Sequence, residues 1–154
     1  EDQNFADAVA ASGKVYLAAS FSHSGGDDDA VPTPDPGLRQ TNDGPPMVQR
    51  SSASLPVSPI YQAATGIGFV TQRPDEDGIY RSVLPMIGFH GRAVPSLGLA
   101  PLLRADDEVV WHNDGVLQAG PYRLPLSASH SLQLRYRSAA PYARISVLDV
   151  IHSS

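Results

Sequence analysis

The sequence predicts an α/β fold of the mixed α+β kind, a central mixed sheet flanked by helices, and three observations predict it. The chain opens with a helical pattern, a glycine and a strand whose two faces are both apolar or small. That order suits an α/β layer, because a strand covered on both sides loses the usual alternation of apolar and polar residues. Later stretches follow the strand period of two instead of the helical 3.6. Finally, 154 residues with 42% hydrophobic content can enclose one core in one domain.

Residues 2–12 carry Phe5, Ala8, Val9 and Ser12 at helical spacing, and Gly13 supplies the stop. Residues 14–21 follow as a strand, with Val15, Leu17, Ala19 and Phe21 on one side and Tyr16, Ala18 and Ser20 on the other. Residues 22–58 hold six prolines and five aspartates, including Asp27, Asp28 and Asp29 in a row. Proline fixes φ and removes a donor, so this stretch is expected to be a mobile insertion lacking regular structure.

Residues 59–65 are expected to form one or two helical turns with Pro59 near the first position, ended by Gly66 before a strand over 67–71. Pro74-Asp75-Glu76-Asp77-Gly78 is a turn, since aspartate folds back on its own backbone and glycine accepts positive φ. Residues 79–89 read as one long strand, bulged or at a sheet edge where Pro85 cannot donate, and His90-Gly91 turns it into residues 92–94. Pro95-Ser96 opens a helix carrying Leu97, Leu99, Ala100, Leu102 and Leu103, which Pro101 either delays or bends.

Strands around 109–112 and 116–118 flank Asn113-Asp114-Gly115 as a hairpin. Residues 132–137 alternate, with Leu132, Leu134 and Tyr136 inward and Gln133, Arg135 and Arg137 toward water. Ser146 caps a final helix with Asp149 three residues on, and Val147, Leu148, Val150 and Ile151 line its apolar side.

Composition excludes several functions. A net charge of −5 and no basic run argue against nucleic acid as a partner, because phosphate binding needs clustered positive charge. The absence of cysteine removes disulfides, thiolate metal sites and cysteine nucleophiles. His23, His90, His112, His130 and His152 stand singly, so no local metal-binding pair exists. Aligning Gly78 with the invariant glycine of a calcium loop puts Arg73 first and Leu84 twelfth, and neither can be a ligand. There is no Gly-x-Ser-x-Gly elbow, and Gly66-Ile67-Gly68 lacks the third glycine of a dinucleotide fingerprint. No catalytic residue, metal ligand or cofactor site is therefore expected. Arg81 is the charged residue to watch: its planar fork can pair with Asp75 or Asp77, or meet an anionic ligand.

Six blocks recur in order along the chain. They are Asp2-x-x-Phe5-Ala6-x-Ala8-Val9, Ala64-x-Gly66-x-Gly68-Phe69-Val70, Pro74-Asp75-x-Asp77-Gly78-x-x-Arg81-x-x-x-Pro85, Pro95-Ser96-Leu97-x-Leu99, a strand rich in Tyr and Arg, and Ile145-Ser146-x-x-Asp149-Val150. This arrangement resembles the second type of CHASE domain, the extracellular sensing domain associated with cyclases and histidine kinases. The family usually carries a further segment before the first block, so the resemblance implies either its C-terminal portion or a shortened version.

The resemblance also implies a sensor and not an enzyme, placed outside the cytoplasmic membrane of a bacterium. Implied partners are a small-molecule or protein signal, flanking transmembrane helices and a cytoplasmic output domain of the parent chain, with a homodimer as a further expectation. Two alternatives stay open: a structural dimerisation domain, or a free-standing periplasmic binding protein or enzyme. The latter would need His112, His130 and a carboxylate in one cleft. The ligand-contact candidates are Asp75, Asp77 and Arg81.

Overall fold

The opening helix forms at the expected residues but turns a different side inward. In the computed structural model, which describes residues 2–23, 39–40, 47–104, 106–136 and 146, helix α1 (Asp2–Ser12) buries Ala6 and Val9, while Phe5 is 56% exposed. The reason is its partner. Helix α1 packs against a second short helix, α2 (Ser58–Ala63), and Ala6, Ala10 and Ala63 line the groove between them. Small side chains permit that close approach, so Phe5 is left at the rim. Pro59 stands in the first turn of α2, as expected, where its missing N–H costs no hydrogen bond.

Strand β1 (Tyr16–Ser22) is an inner strand, flanked by strands from either side of α2. Within residues 22–58 lie β2 (Arg39–Gln40), β3 (Gln49–Arg50) and β4 (Ser52–Ser54), and β4 pairs antiparallel with β1. Strand β5 (Gly66–Phe69) runs parallel to β1 on its other edge. The burial of β1 corrects the expectation of two covered faces: Ala19 and Phe21 are buried, but Ala18, Ser20 and Ser22 are exposed. The expected insertion is likewise too long, because residues 47–58 join the sheets and Met47 enters the core. Proline clusters at 45–46 and 56 bracket those strands and leave their donors intact. Residues 24–38 and 41–46 of the insertion lie outside the described residues, as does the expected helix beyond Ser146.

The middle of the molecule is organised by the hairpin of β7 (Met86–Phe89) and β8 (Arg92–Pro95), joined by His90-Gly91 with φ of 48° and 76°. Both central residues take positive φ, the two-residue turn whose twist matches paired strands. Every residue of β7 is buried, because the hairpin divides two cores. Ile87, Phe89 and Val94 face a cluster with Ala19, Phe21, Tyr61, Ile67 and Phe69, where Phe21 and Phe89 meet edge to face at 5.0 Å. Met86 and Ala93 face the other, with Met47, Leu99, Leu103, Val109, Trp111, Leu117 and Ala119. Each large side chain so buried contributes roughly 1.5–3 kcal/mol.

The single strand expected over 79–89 is two, β6 (Ser82–Val83) and β7. Pro85 lies between them, buried and not at an edge; lacking an N–H it interrupts the ladder, while its carbonyl accepts from Ser96 N at 2.8 Å. After β8 the chain crosses β5 so closely that a Cβ on Gly68 would sit 2.3 Å from Leu97 Cα, which explains the glycine there. The helix expected from Ser96 is reduced to a turn and one 3-10 segment, Ala100–Leu102. Pro101 in its first turn cannot donate, so an α-helical ladder does not start before it.

Strands β9 (Glu108–His112) and β10 (Val116–Ala119) form the expected hairpin around Gly115, and β2 extends the sheet parallel to β9. Strand β11 (Tyr122–Pro125), paired with β10, carries no clear apolar alternation and was missed in the sequence. Strand β12 (Leu132–Gln133) pairs with β6 and is shorter than expected. Leu134 and Tyr136 are 39% and 68% exposed, not inward, because pairing with the two-residue β6 gives them no sheet to cover. The class is α+β with strands dominant, and the described strands form four small sheets of mixed direction.

Candidate functional site

Two charged features stand close together in the chain, and the structure separates their roles. The first is the acidic turn. Gly78, at φ 81°, lets Gly78 N donate to Asp75 O at 2.9 Å and Ile79 N to Asp77 Oδ1 at 3.1 Å. Arg81 then spans both carboxylates, with Nη1 at 3.1 Å from Asp75 Oδ2 and Nη2 at 2.7 Å from Asp77 Oδ2. The Arg81 guanidinium, with the Ile79 amide, holds the Asp77 carboxyl below its ordinary value, and Asp77 and Asp75 in turn raise Arg81. All three predicted candidates are thus brought together, with their charges directed at one another. The turn is closed and exposed, and its arginine is paired with both aspartates.

The second feature is a cavity of about 300 Å³ lined by His23, Val48, Arg50, Thr71, Gln72, Arg73, Ser82, Leu84, Ser129 and Ser131. Its position follows from the strands. Strand β1 ends into His23 and the parallel strand β5 ends into Thr71, Gln72 and Arg73, so the cavity lies at the carboxyl ends of a parallel pair. In open α/β sheets that is where ligands bind, since chain ends and loops diverge there and leave space. The walls are fixed by hydrogen bonds. Phe21 N donates to Thr71 Oγ1 at 2.9 Å, Ser51 Oγ donates to His23 O at 2.8 Å, and the Gln72 amide pairs with both backbone groups of Leu84.

The cavity is cationic inside an acidic protein. Among the described residues, no carboxylate pairs with Arg50 or Arg73. Arg50 Nη1 contacts His23 Nε2 and donates to Gln49 O at 3.2 Å. A guanidinium has only donors, so in this contact the histidine nitrogen is the acceptor. Partial burial, then the like charge of Arg73, pushes the pKa of Arg50 down. Opposite stands a serine cluster: Ser127, Ser129 and Ser131 hydroxyls lie 2.8–3.1 Å apart, and Ser131 is buried. The left-handed His130, at φ 57°, turns that loop and sets its ring edge-on to Trp111 at 5.8 Å.

A family model described as the CHASE2 domain matches residues 1–153. The chain belongs to the CHASE2 family. This is a family of extracellular sensory domains found in signalling receptors. No curated protein and no solved structure matches the CHASE2 chain significantly. Among the described residues no helix is long and apolar enough to cross a membrane.

Among the described residues the histidines of the CHASE2 domain do not converge, and His152 lies outside them. His112 pairs with Gln118 at 3.2 Å, His130 packs on Trp111, and His90 is an exposed turn residue. No group of three His, Asp or Glu among the described residues could hold a metal ion. Arg50, Arg73 and His23 were missed by sequence reasoning because they lie in three separate segments, and no local pattern joins them.

Proposed function

We propose that this CHASE2 domain is the extracytoplasmic signal-input module of a bacterial membrane receptor whose cytoplasmic output is a nucleotide or diguanylate cyclase, a histidine kinase or a serine/threonine kinase. The family match over residues 1–153 carries this reading. The physics it requires is modest. A signal that binds one conformation or association state better than another shifts their populations, and a helix leading out of the domain passes the shift to a transmembrane segment.

The test is topological. A phosphatase reporter fused after Ser154 in the native reading frame is expected to be active only when exported, and apolar spans are expected on the flanks of the segment. A frame with no such span, or a fused reporter that stays inactive in cells that export it when it carries its own signal, overturns the proposal.

A further inference from the structure

We propose that the cavity at the carboxyl ends of β1 and β5 binds a small oxyanion carrying two negative charges, a phosphoryl or dicarboxylate compound, with Arg50 and Arg73 as its counter-charges. Four observations converge on this. Arg50 and Arg73 line one cavity and, among the described residues, no carboxylate lines it with them, in a chain whose net charge is −5. Placing like charges together in a partly desolvated site is unfavourable, and an external anion is the partner that removes the cost.

The remaining lining supplies donors of the kind an oxyanion takes. Ser82 adds a hydroxyl to the lining, and Thr71 Oγ1, already accepting from Phe21 N, keeps its own proton to donate, while the Ser129 and Ser131 hydroxyls are engaged with Ser127 and with each other. Arginine forks match the paired oxygens of phosphate and carboxylate alike, which is why the charge and oxygen pattern, and not one compound, is what the site specifies. A volume near 300 Å³ is the lower end for ligand pockets and suits a compound of a few carbons or a single phosphate. The walls are also set in advance by the Thr71, Gln72 and Ser127 hydrogen bonds, so little ordering is needed on binding.

That the bound anion is the sensed signal rests on the receptor reading above; that it binds does not. Calorimetric titration of the 154-residue chain with inorganic phosphate, succinate and chloride, at constant ionic strength, is the experiment. One-site saturation by phosphate or by succinate is expected, and whichever arm binds names the source, while chloride gives no such saturation. Arg73→Gln, at an exposed position, is expected to weaken that binding about tenfold or more, and Arg73→Lys by less, because the charge survives without the fork.

Near-ultraviolet circular dichroism checks that each variant is folded, and Arg50→Gln is read only if it passes. No saturation by either dianion up to about 10 mM, a binding free energy too weak for a built site, overturns the proposal. So does unchanged binding in Arg73→Gln. Output of the membrane-embedded parent is measured alongside. Binding without any change in output leaves the site standing and defeats its role as the signal input, whereas output driven by another cue without anion binding defeats the site alone.

Discussion

Arg73 and Arg81 stand on either side of one turn, both exposed, and differ in where their counter-charge comes from. Arg81 finds two carboxylates within its own turn, at 3.1 and 2.7 Å. Arg73 faces a cavity shared with Arg50 and finds none among the described residues. Sequence proximity to aspartate did not decide the matter. The Gly78 backbone bends Asp75 and Asp77 toward Arg81, and Gln72, anchored on Leu84, carries Arg73 toward β1 and β3. A motif whose arginine finds its carboxylates locally is a structural fastening. One whose like charges are gathered from distant strands holds electrostatic free energy that a ligand can release.

The largest expected effect removes that gathered charge. A dianion at about ten times its Kd stabilises a one-site protein by about 1.4 kcal/mol, which for this length raises the melting midpoint by about 3–6 °C. The double variant Arg50→Gln/Arg73→Gln is expected to lose the whole of that rise, measured by scanning calorimetry with and without the ligand. A rise equal to that of the unsubstituted chain would place the anion elsewhere.

Converting one region into the other is the next test. Arg73→Glu supplies the cavity with an internal carboxylate for Arg50, making it resemble the Asp75–Arg81 turn. Half-exposed ion pairs contribute up to about 1 kcal/mol, so the ligand-free domain is expected to melt about 2–4 °C higher, with anion binding abolished. A fall in the melting midpoint would show that Arg50 and Arg73 are not close enough in solution to repel.

How far these regions were readable from the sequence follows from the same contrast. The turn was legible because its parts lie within seven residues and each has a local chemical meaning: aspartate to fold back, glycine for positive φ, arginine to pair. Helix α1, strand β1, the hairpin at Gly115 and the mixed α+β class were legible through spacing for the same reason. The cavity was not, because residues 23, 50 and 73 are brought together by the parallel pairing of β1 with β5 and the antiparallel pairing of β1 with β4. Burial misled where a partner was small or short. Phe5 lost its expected place to Ala6 because α1 rests on α2, and Tyr136 to solvent because β6 has two residues.

A smaller effect probes the cavity wall. Thr71→Val conserves shape but removes the acceptor for Phe21 N, in a residue only 1% exposed. An unmet buried donor costs about 1–3 kcal/mol, and denaturant unfolding is expected to show a loss in that range with the m-value unchanged. Anion affinity is expected to fall by only a few-fold, because both guanidinium groups remain. Loss of all binding in Thr71→Val would instead make the hydroxyl, and not the arginine pair, the main determinant.

The smallest effect belongs to the turn. Arg81→Gln is expected to leave anion affinity unchanged, since Arg81 spends its donors on Asp75 and Asp77 outside the cavity. Its signature is in acid. Asp77 has a folded value below the ordinary 3.8, chiefly through Arg81, so its contribution to stability is complete above the unfolded value and disappears as the pH falls through the folded one. Melting midpoints of the unsubstituted and Arg81→Gln chains should therefore differ slightly at neutral pH and converge on the acid side of 3.8. The opposite shift on Arg81 has no consequence there, because a raised basic group keeps its contribution throughout acid and neutral pH. A gap that widened in acid would mean that Asp77 is held by something other than Arg81, and a loss of anion affinity would place Arg81 in the cavity's charge balance after all.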